Sequence, residues 1–328
     1  MADLQKTPFV RELASSDRRT RDKATESLTL FLRSKTDLSL LDLLKLWKGL
    51  FFCFYHSDRP LTQQALARNL SYGIVPTLPR TTLHRFLRAF WITIGRDFHS
   101  LDRLRLDKYL FLIRCYVGVA FEVFVKGAKT QTQTEETNKK RKRQDAGGKK
   151  EKNKRSKGKK KAQAADEEEE EEEEDGTANG SAQGKWADLE SYLSIIEEGP
   201  LCPINFDPDQ PAADEKKDYV PMPHGPDGLR YHIMDIWIDE VEKVLEFDEE
   251  ADDEEEPKER KPKGDVPMDL LLRPIEKLRT DCPYKPVRTR ATETLNDDRL
   301  VEWGFKTRPV QEDDDDEESE IEWGGFDD

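Results

Sequence analysis

The side chains of this 328-residue chain that could do chemistry are scattered, and none forms a recognisable catalytic or metal-binding pattern. The four cysteines contain no CxxC pair, so they predict neither a zinc site nor a disulfide framework. The histidines show no metal-ligand spacing such as HExxH. They are His56, His84, His99, His224 and His232. We expect no metal, no cofactor and no catalytic residue.

Carboxylates are abundant, but most of them lie in runs that water can solvate. A catalytic carboxylate needs a pocket that shifts its pKa, and a run of charge supplies none. The nearest match to a phosphate-binding loop, residues 180–185, is one residue short and lacks the hydroxyl residue that follows the lysine. The sequence therefore predicts a protein that is not an enzyme and has no small-molecule substrate.

Charge is divided among three blocks, which the formal net charge of -15 conceals. Residues 1–125 carry 20 Lys/Arg against 12 Asp/Glu, residues 126–165 carry 16 against 4, and residues 166–328 carry 18 against 53. This division is typical of a chain in which one part meets nucleic acid and another meets basic proteins or screens the first.

A membrane location is not indicated by the sequence. The N-terminus has no apolar signal segment, and the most apolar run, residues 109–125, is too short and too charged to span a bilayer. We expect an intracellular protein without a membrane partner.

Helical periodicity dominates the first 126 residues. From Leu40 to Phe54 the apolar residues recur at i, i+3, i+4 and i+7, and Ser39 is the predicted N-cap of this helix. Pro8 opens a short helix, and Ser16 or Asp17 caps the next. Further helices are predicted over 61–74, 80–94 and 102–126.

The helical pattern resumes at residue 185, and short Pro, Gly and Asp breaks separate the helices. Because no segment alternates with period two, the fold class is all-α: an irregular α-solenoid, a HEAT- or armadillo-like helical array. The predicted segments are the first part of the array (1–126), a disordered basic-then-acidic insert (127–184), helices completing the array (185–247), extended segments with one short helix over 270–278 (248–300), and an acidic tail (301–328).

A basic stripe is predicted on the helix over 80–94. Arg80, His84 and Arg88 recur at i, i+4 and i+8 opposite its apolar face. Such a stripe can bind a phosphate backbone, and an ordinary polar face is an equal alternative. The RNA-binding candidates on this helix and the one after Asp17 are Arg18, Arg19, Arg21, Lys23, Arg80, Arg85, Arg88 and Arg96.

Two lysine-rich blocks in the insert have the spacing of a bipartite nuclear import signal, and they could equally neutralise RNA phosphates. The alternative is a solubilising linker, but the number of lysines favours import or RNA contact. The import candidates are Lys139, Lys140, Arg141, Lys142, Arg143, Lys159, Lys160 and Lys161.

The tail repeats a Glu-Trp-Gly pattern at residues 302–305 and 322–326. Because aromatic residues dominate interface hot spots, Trp303, Phe305, Trp323 and Phe326 are predicted to dock on a partner. The alternative is that they pack onto the protein's own helices. The acidic runs 167–174 and 313–318 either bind basic proteins or remain solvated.

Short segments spread along the chain carry a resemblance to a known family. They are residues 9–15, 18–24, 46–53, 56–60, 90–91, 96–97, 101–109, 225–232, 235–237 and 240. Together they resemble the nucleolar ribosomal RNA-processing protein 1 family over about 1–126 and 185–280.

This resemblance implies a non-catalytic assembly factor of the nucleus and nucleolus that acts on large-ribosomal-subunit precursors and is needed for precursor rRNA processing. It also implies a helical, repeat-like fold. The expected partners are precursor rRNA, the large-subunit precursor particle, other nucleolar assembly factors and an import receptor. The alternative is a nuclear import adaptor or an acidic chaperone for basic proteins.

Overall fold

The computed structural model describes residues 12–13, 15, 17–127, 184–247 and 260–306. The predicted helix at Pro8, most of the insert and the tail beyond residue 306 lie outside these residues. The helices described are α1 (Arg18–Ser34), α2 (Leu40–Tyr55), α3 (Pro60–Arg68), α4 (Arg80–Asp97), α5 (Arg103–Phe121), α6 (Ala187–Glu198), α7 (Asp227–Glu242), α8 (Met268–Asp281), α9 (Lys285–Leu295) and the short α10 (Asp298–Glu302). Wider π-helical turns continue α3 over Asn69–Gly73 and α5 over Glu122–Lys126.

Side-chain caps fix where several helices begin. The carboxylate of Asp17 accepts the backbone N–H of Thr20 at 3.0 Å, and the hydroxyl of Ser39 accepts that of Asp42 at 3.1 Å. Each cap satisfies an N–H that has no partner within the first helical turn. Both predicted caps, and the all-α fold class, are therefore confirmed.

The helices pack in two layers. Helices α2, α4, α6 and α8 contact one another in sequence and form one layer, while α3, α5, α7 and α9 form the other. Neighbours within a layer run in the same direction: the Thr82 hydroxyl, early in α4, donates to the Thr36 carbonyl just before α2, and Lys48 in α2 pairs with Asp97 at the end of α4. Stacked helix pairs of this kind are the arrangement of an α-solenoid.

Aromatic side chains join the two layers. The ring of Tyr116 in α5 stacks on Phe90 of α4, with centroids 3.8 Å apart, and meets Trp47 of α2 edge-on at 5.3 Å. Further along the array, Phe121 meets Trp237 edge-on at 5.0 Å, and the indole N–H of Trp237 donates to the Leu271 carbonyl at 3.0 Å. The core is therefore continuous from α2 to α8.

The C-terminal helices differ from the sequence prediction. We expected one short helix over 270–278, but α8 is longer, and α9 and α10 follow it in a region predicted to be extended. Pro274 lies inside α8 and Pro286 at the start of α9, so both resembled breaks in the sequence. In α9 the buried face is narrow, and only Val287, Ala291 and Leu295 repeat on it.

The connection from α6 to α7, residues 199–226, is long and lies across the first layer. The Asp218 carboxylate accepts the backbone N–H of Leu40 at 2.7 Å, so this connection caps the start of α2. Asp218 adopts a left-handed backbone conformation, with φ 51°, to reach that position. Pro223 lies against Gly95 of α4, where an added Cβ would come within 2.9 Å of the proline ring.

Within the part of the chain that the structure describes, no helix is long and apolar enough to cross a membrane. Nor do residues 12–127, 184–247 and 260–306, where described, contain a group of three or more His, Cys, Asp and Glu side chains that could hold a metal ion.

Gly95→Ala should lower the free energy of unfolding by about 1–2 kcal/mol, because a methyl group cannot fit against the rigid ring of Pro223. The helical Gly127, which has no neighbour within 4 Å, is the matched control. Gly127→Ala should leave stability unchanged or raise it by up to about 1 kcal/mol. Urea unfolding of both variants measures the difference, and equal stabilities would refute the close contact.

Candidate nucleic-acid and partner interfaces

The predicted basic stripe on α4 contacts the helix pair that follows the insert. The Arg88 guanidinium donates to both carboxylate oxygens of Glu198 in α6, at 2.6 and 2.7 Å. One turn earlier, the ring Nε2 of His84 donates to the Asp188 carbonyl at 2.9 Å. Arg80 lies 3.5 Å from the carboxylate of Asp188.

This arrangement shields Arg88 from a phosphate backbone but leaves Arg80 64% exposed. The side chain of Arg88 is only 16% exposed, donates also to the Val220 carbonyl at 3.1 Å, and lies over the ring of Tyr219. In a two-layer array, the polar side of a helix can contact the helix pair that follows it in the array. The stripe therefore joins α4 to α6 and to the 199–226 connection.

Two other basic candidates on α4 have partial exposure. Arg85 pairs with Asp218 at 3.4 Å and donates to the Leu38 carbonyl. Arg96 pairs with Asp97, which also receives Lys48. Burial alone would raise the pKa of Asp97, but the hydrogen bonds from Arg96 and Lys48 outweigh it, and the pKa is lowered. These charges are already matched within the protein.

The basic cluster at the start of α1 is more open. Arg18 is 87% exposed and lies 3.6 Å from Asp22, a weak surface pair, while Arg19 and Lys23 are exposed. Arg21 differs from the other three, because it is buried and donates to the Ser15 carbonyl at 2.9 Å. Three of the four predicted residues are thus accessible to a phosphate backbone.

The first Trp motif of the tail is part of the fold. Trp303 is 2% exposed and lies beside Phe247, with ring centroids 5.8 Å apart. Gly304 follows with φ +77°, a left-handed conformation that glycine adopts without strain. Phe305 is 39% exposed. The docking prediction for Trp303 is therefore not supported, and the alternative, packing onto the protein's own helices, describes this residue.

The ion pairs of Arg299 hold the same region on α7. The guanidinium donates to Asp297 at 2.8 Å and Glu242 at 2.9 Å and lies 3.0 Å from Asp239. The hydrogen bond from Arg299 lowers the pKa of Asp297. Trp323 and Phe326, the second motif, lie outside the described residues and stay predictions.

The import candidates of the insert also lie outside the described residues, but both ends of the insert are placed. Phe124, near the end of α5, stacks on Tyr192 of α6 with centroids 5.3 Å apart. The chain therefore leaves and re-enters the same body at adjacent helices.

A buried charge cluster between α5 and α7 was not found by sequence reasoning. Glu240 is 1% exposed, and one carboxylate oxygen accepts from Arg114 and from Lys243, each at 2.6 Å. The sequence predicts no role for Glu240. Only the spacing of Asp239 and Glu240 beside an apolar stripe could have indicated that one of them turns inward.

The thiols of Cys53 in α2 and Cys115 in α5 are buried and unreactive. Burial raises the pKa of Cys53 to about 12 and that of Cys115 to about 11. Both side chains remain protonated at neutral pH and act as small apolar residues in the core.

Comparison with known proteins places the chain in a family. Residues 4–144 and 215–325 match the sequence profile described as nucleolar protein, Nop52. The chain belongs to this Nop52 family. The two matched ranges include α1 to α5 and α7 to α10, and thus the helices on both sides of the insert.

Relatives of the chain carry a ribosomal RNA-processing name. Human ribosomal RNA processing protein 1 homolog B is 39% identical over 241 residues, which is 72% of this chain and 22% of that protein. The mouse homolog B is 37% identical over 130 residues (38% and 18%), and the human homolog A is 35% identical over 120 residues (35% and 26%). The chain thus spans about a fifth to a quarter of the length of these relatives.

Arg88→Glu should lower the free energy of unfolding by about 2–3 kcal/mol, because it leaves Glu198 facing a second carboxylate in a partly buried contact. The double variant Arg88→Glu/Glu198→Arg should recover part of that loss. Arg19→Glu, at an exposed position of α1, should change stability by less than about 0.5 kcal/mol. Equal unfolding midpoints for Arg88→Glu and Arg19→Glu would show that the contact between α4 and α6 contributes little to stability.

Proposed function

We propose that the protein is a non-catalytic nucleolar scaffold in ribosome biogenesis, needed for precursor rRNA processing and for assembly of the large ribosomal subunit. Membership of the Nop52 nucleolar family is the observation that carries this proposal. The names of the relatives support the rRNA-processing role. The partners would be precursor rRNA, the precursor particle and neighbouring assembly factors.

The architecture supports a scaffold. A two-layer helical array with a continuous core presents a long, stiff surface, and such arrays hold several partners in a defined geometry. Charged side chains link successive helix pairs, so each pair is fixed to the next: Arg88 to Glu198, Arg114 to Asp239, and Arg273 to Glu197.

The basic residues of the insert would add the nonspecific part of RNA binding and the import signal. Residues 139–143 and 149–161 follow α5, and helical residues on the two sides of the insert, Phe124 and Tyr192, stack on each other. Tethering raises the effective concentration of a binding segment near its neighbours. We propose that these lysines and the open α1 cluster contact RNA phosphates together, and that an import receptor reads the same lysines.

The second candidate function is a nuclear import adaptor or an acidic chaperone for basic proteins. The composition of the residues after 165 favours this function, because they carry 53 Asp/Glu and only 18 Lys/Arg. The two functions differ in what the protein accompanies: an assembly factor stays with the precursor particle, and a carrier releases its cargo.

Sedimentation of nuclear extract at moderate salt separates these functions. The scaffold proposal predicts that the full chain sediments with large-subunit precursors and that a variant lacking 139–161 accumulates less in the nucleus. If the full chain stays at the top of the gradient while bound to soluble basic proteins, the carrier function stands instead.

The triple variant Arg18→Glu/Arg19→Glu/Lys23→Glu should weaken binding to a labelled precursor rRNA transcript. Three lost phosphate contacts should reduce the slope of log K against log salt by about 2. Lys216→Glu/Lys217→Glu/Lys285→Glu, with the same change of charge at exposed positions elsewhere, is the control. Equal slopes for the two triple variants would exclude a specific role of α1.

A further inference from the structure

The connection between α6 and α7 presents apolar side chains to solvent. Phe206 is 79% exposed and Ile204 is 37% exposed. They lie in a segment rich in acidic residues, with Asp207 and Asp209 directly after Phe206. Aromatic residues are typical anchors of protein interfaces.

The protein holds the base of this segment in place with a fully buried charge. Arg230 of α7 is 0% exposed and donates to the Cys202 carbonyl at 2.7 Å, to the Asn205 side-chain oxygen at 2.9 Å, and to Asp227 at 2.6 Å. Burying a guanidinium is unfavourable unless it is hydrogen-bonded, and the two terminal nitrogens of Arg230 make all three bonds, while its Nε makes none within the described residues. The contacts to Cys202 and Asn205 fix the residues on either side of Ile204, so the segment that carries the two apolar side chains is held in a set position.

A groove lies beside them, between the end of α6, the connection and α8. Its volume is about 630 Å³. Apolar surface from Ile204 and Tyr219 shares its wall with four acidic side chains and one lysine, which are Glu197, Glu198, Asp207, Asp281 and Lys277. Residues 203–218 of the connection carry five Asp/Glu and two Lys. This chemistry fits an aliphatic chain that ends in a positive charge.

We propose that Ile204, Phe206, Asp207 and Asp209, with the adjoining groove, form a docking surface for a lysine- or arginine-rich polypeptide with an apolar anchor. The acidic side chains repel the phosphates of RNA, so the occupant is a protein. The apolar anchor packs against Phe206 and Ile204, and a lysine or arginine of the partner enters the groove. This surface deepens the scaffold function proposed above, because it supplies a site for a basic protein neighbour.

A short lysine–leucine peptide is the probe, used with the full chain. It should bind, and Ile204→Ala/Phe206→Ala should weaken its binding about tenfold. The matched control, Leu61→Ala/Leu104→Ala, removes two leucines that are 82% and 91% exposed elsewhere, and it should bind as the unaltered chain does. Asp207→Asn/Asp209→Asn should reduce both the affinity and its dependence on salt.

Local hydrogen exchange separates this surface from the acidic runs 167–174 and 313–318, which also attract lysine. The peptide should protect residues 204–210, and a peptide of equal length with alanine in place of leucine should not. Equal protection by both peptides, protection by an oligouridine, or no protection of 204–210 would each overturn the proposal. Sedimentation with large-subunit precursors is measured separately. If the chain still sediments with precursors while peptide binding fails, the docking surface is wrong and the proposed scaffold function still stands.

Discussion

The contact between α4 and α6 is the constraint on which the rest of the array depends. The insert separates α5 from α6 along the chain. No short connection therefore holds the pair α6 and α7 against the pair α4 and α5. Arg88, His84 and the stacked rings of Phe124 and Tyr192 make that junction. Packing of Trp237 on Phe121 makes the equivalent contact in the other layer. Every helix from α6 onward is placed by these contacts.

The same junction explains why the basic residues of α4 are paired. A helix in a solenoid has two flanks, one toward the preceding pair and one toward the following pair, and polar residues on a flank find partners there. Arg85 and Asp218 show this for the first layer, and Arg114 with Glu240 shows it for the second. Among the basic candidates that the structure describes, Arg18, Arg19 and Lys23 of α1 are exposed, and Arg80, Arg85 and Arg96 of α4 keep partial exposure beside their partners.

The sequence was sufficient to predict the elements that depend on local chemistry. The caps Asp17 and Ser39 and the apolar stripe of α2 follow from residues a few positions apart, and all three are confirmed. Partners far apart in the chain could not be predicted in the same way: 110 positions separate Arg88 from Glu198. Trp303 was misread for a similar reason, because its acidic neighbours suggested a solvated tail while its contact, Phe247, lies before an acidic linker.

A nicked protein tests the role of the α4–α6 contact most directly. Once the chain is cut, only the noncovalent contacts of α4 and α5 with α6 and α7 can hold the array together. A specific protease site placed at residues 145–150 would allow the chain to be cut in the insert after folding. The account predicts that the two fragments elute together from a sizing column at moderate salt and retain the helical circular dichroism of the uncut chain. Fragments that separate under these conditions would show that the insert, and not the α4–α6 contact, keeps the two parts together.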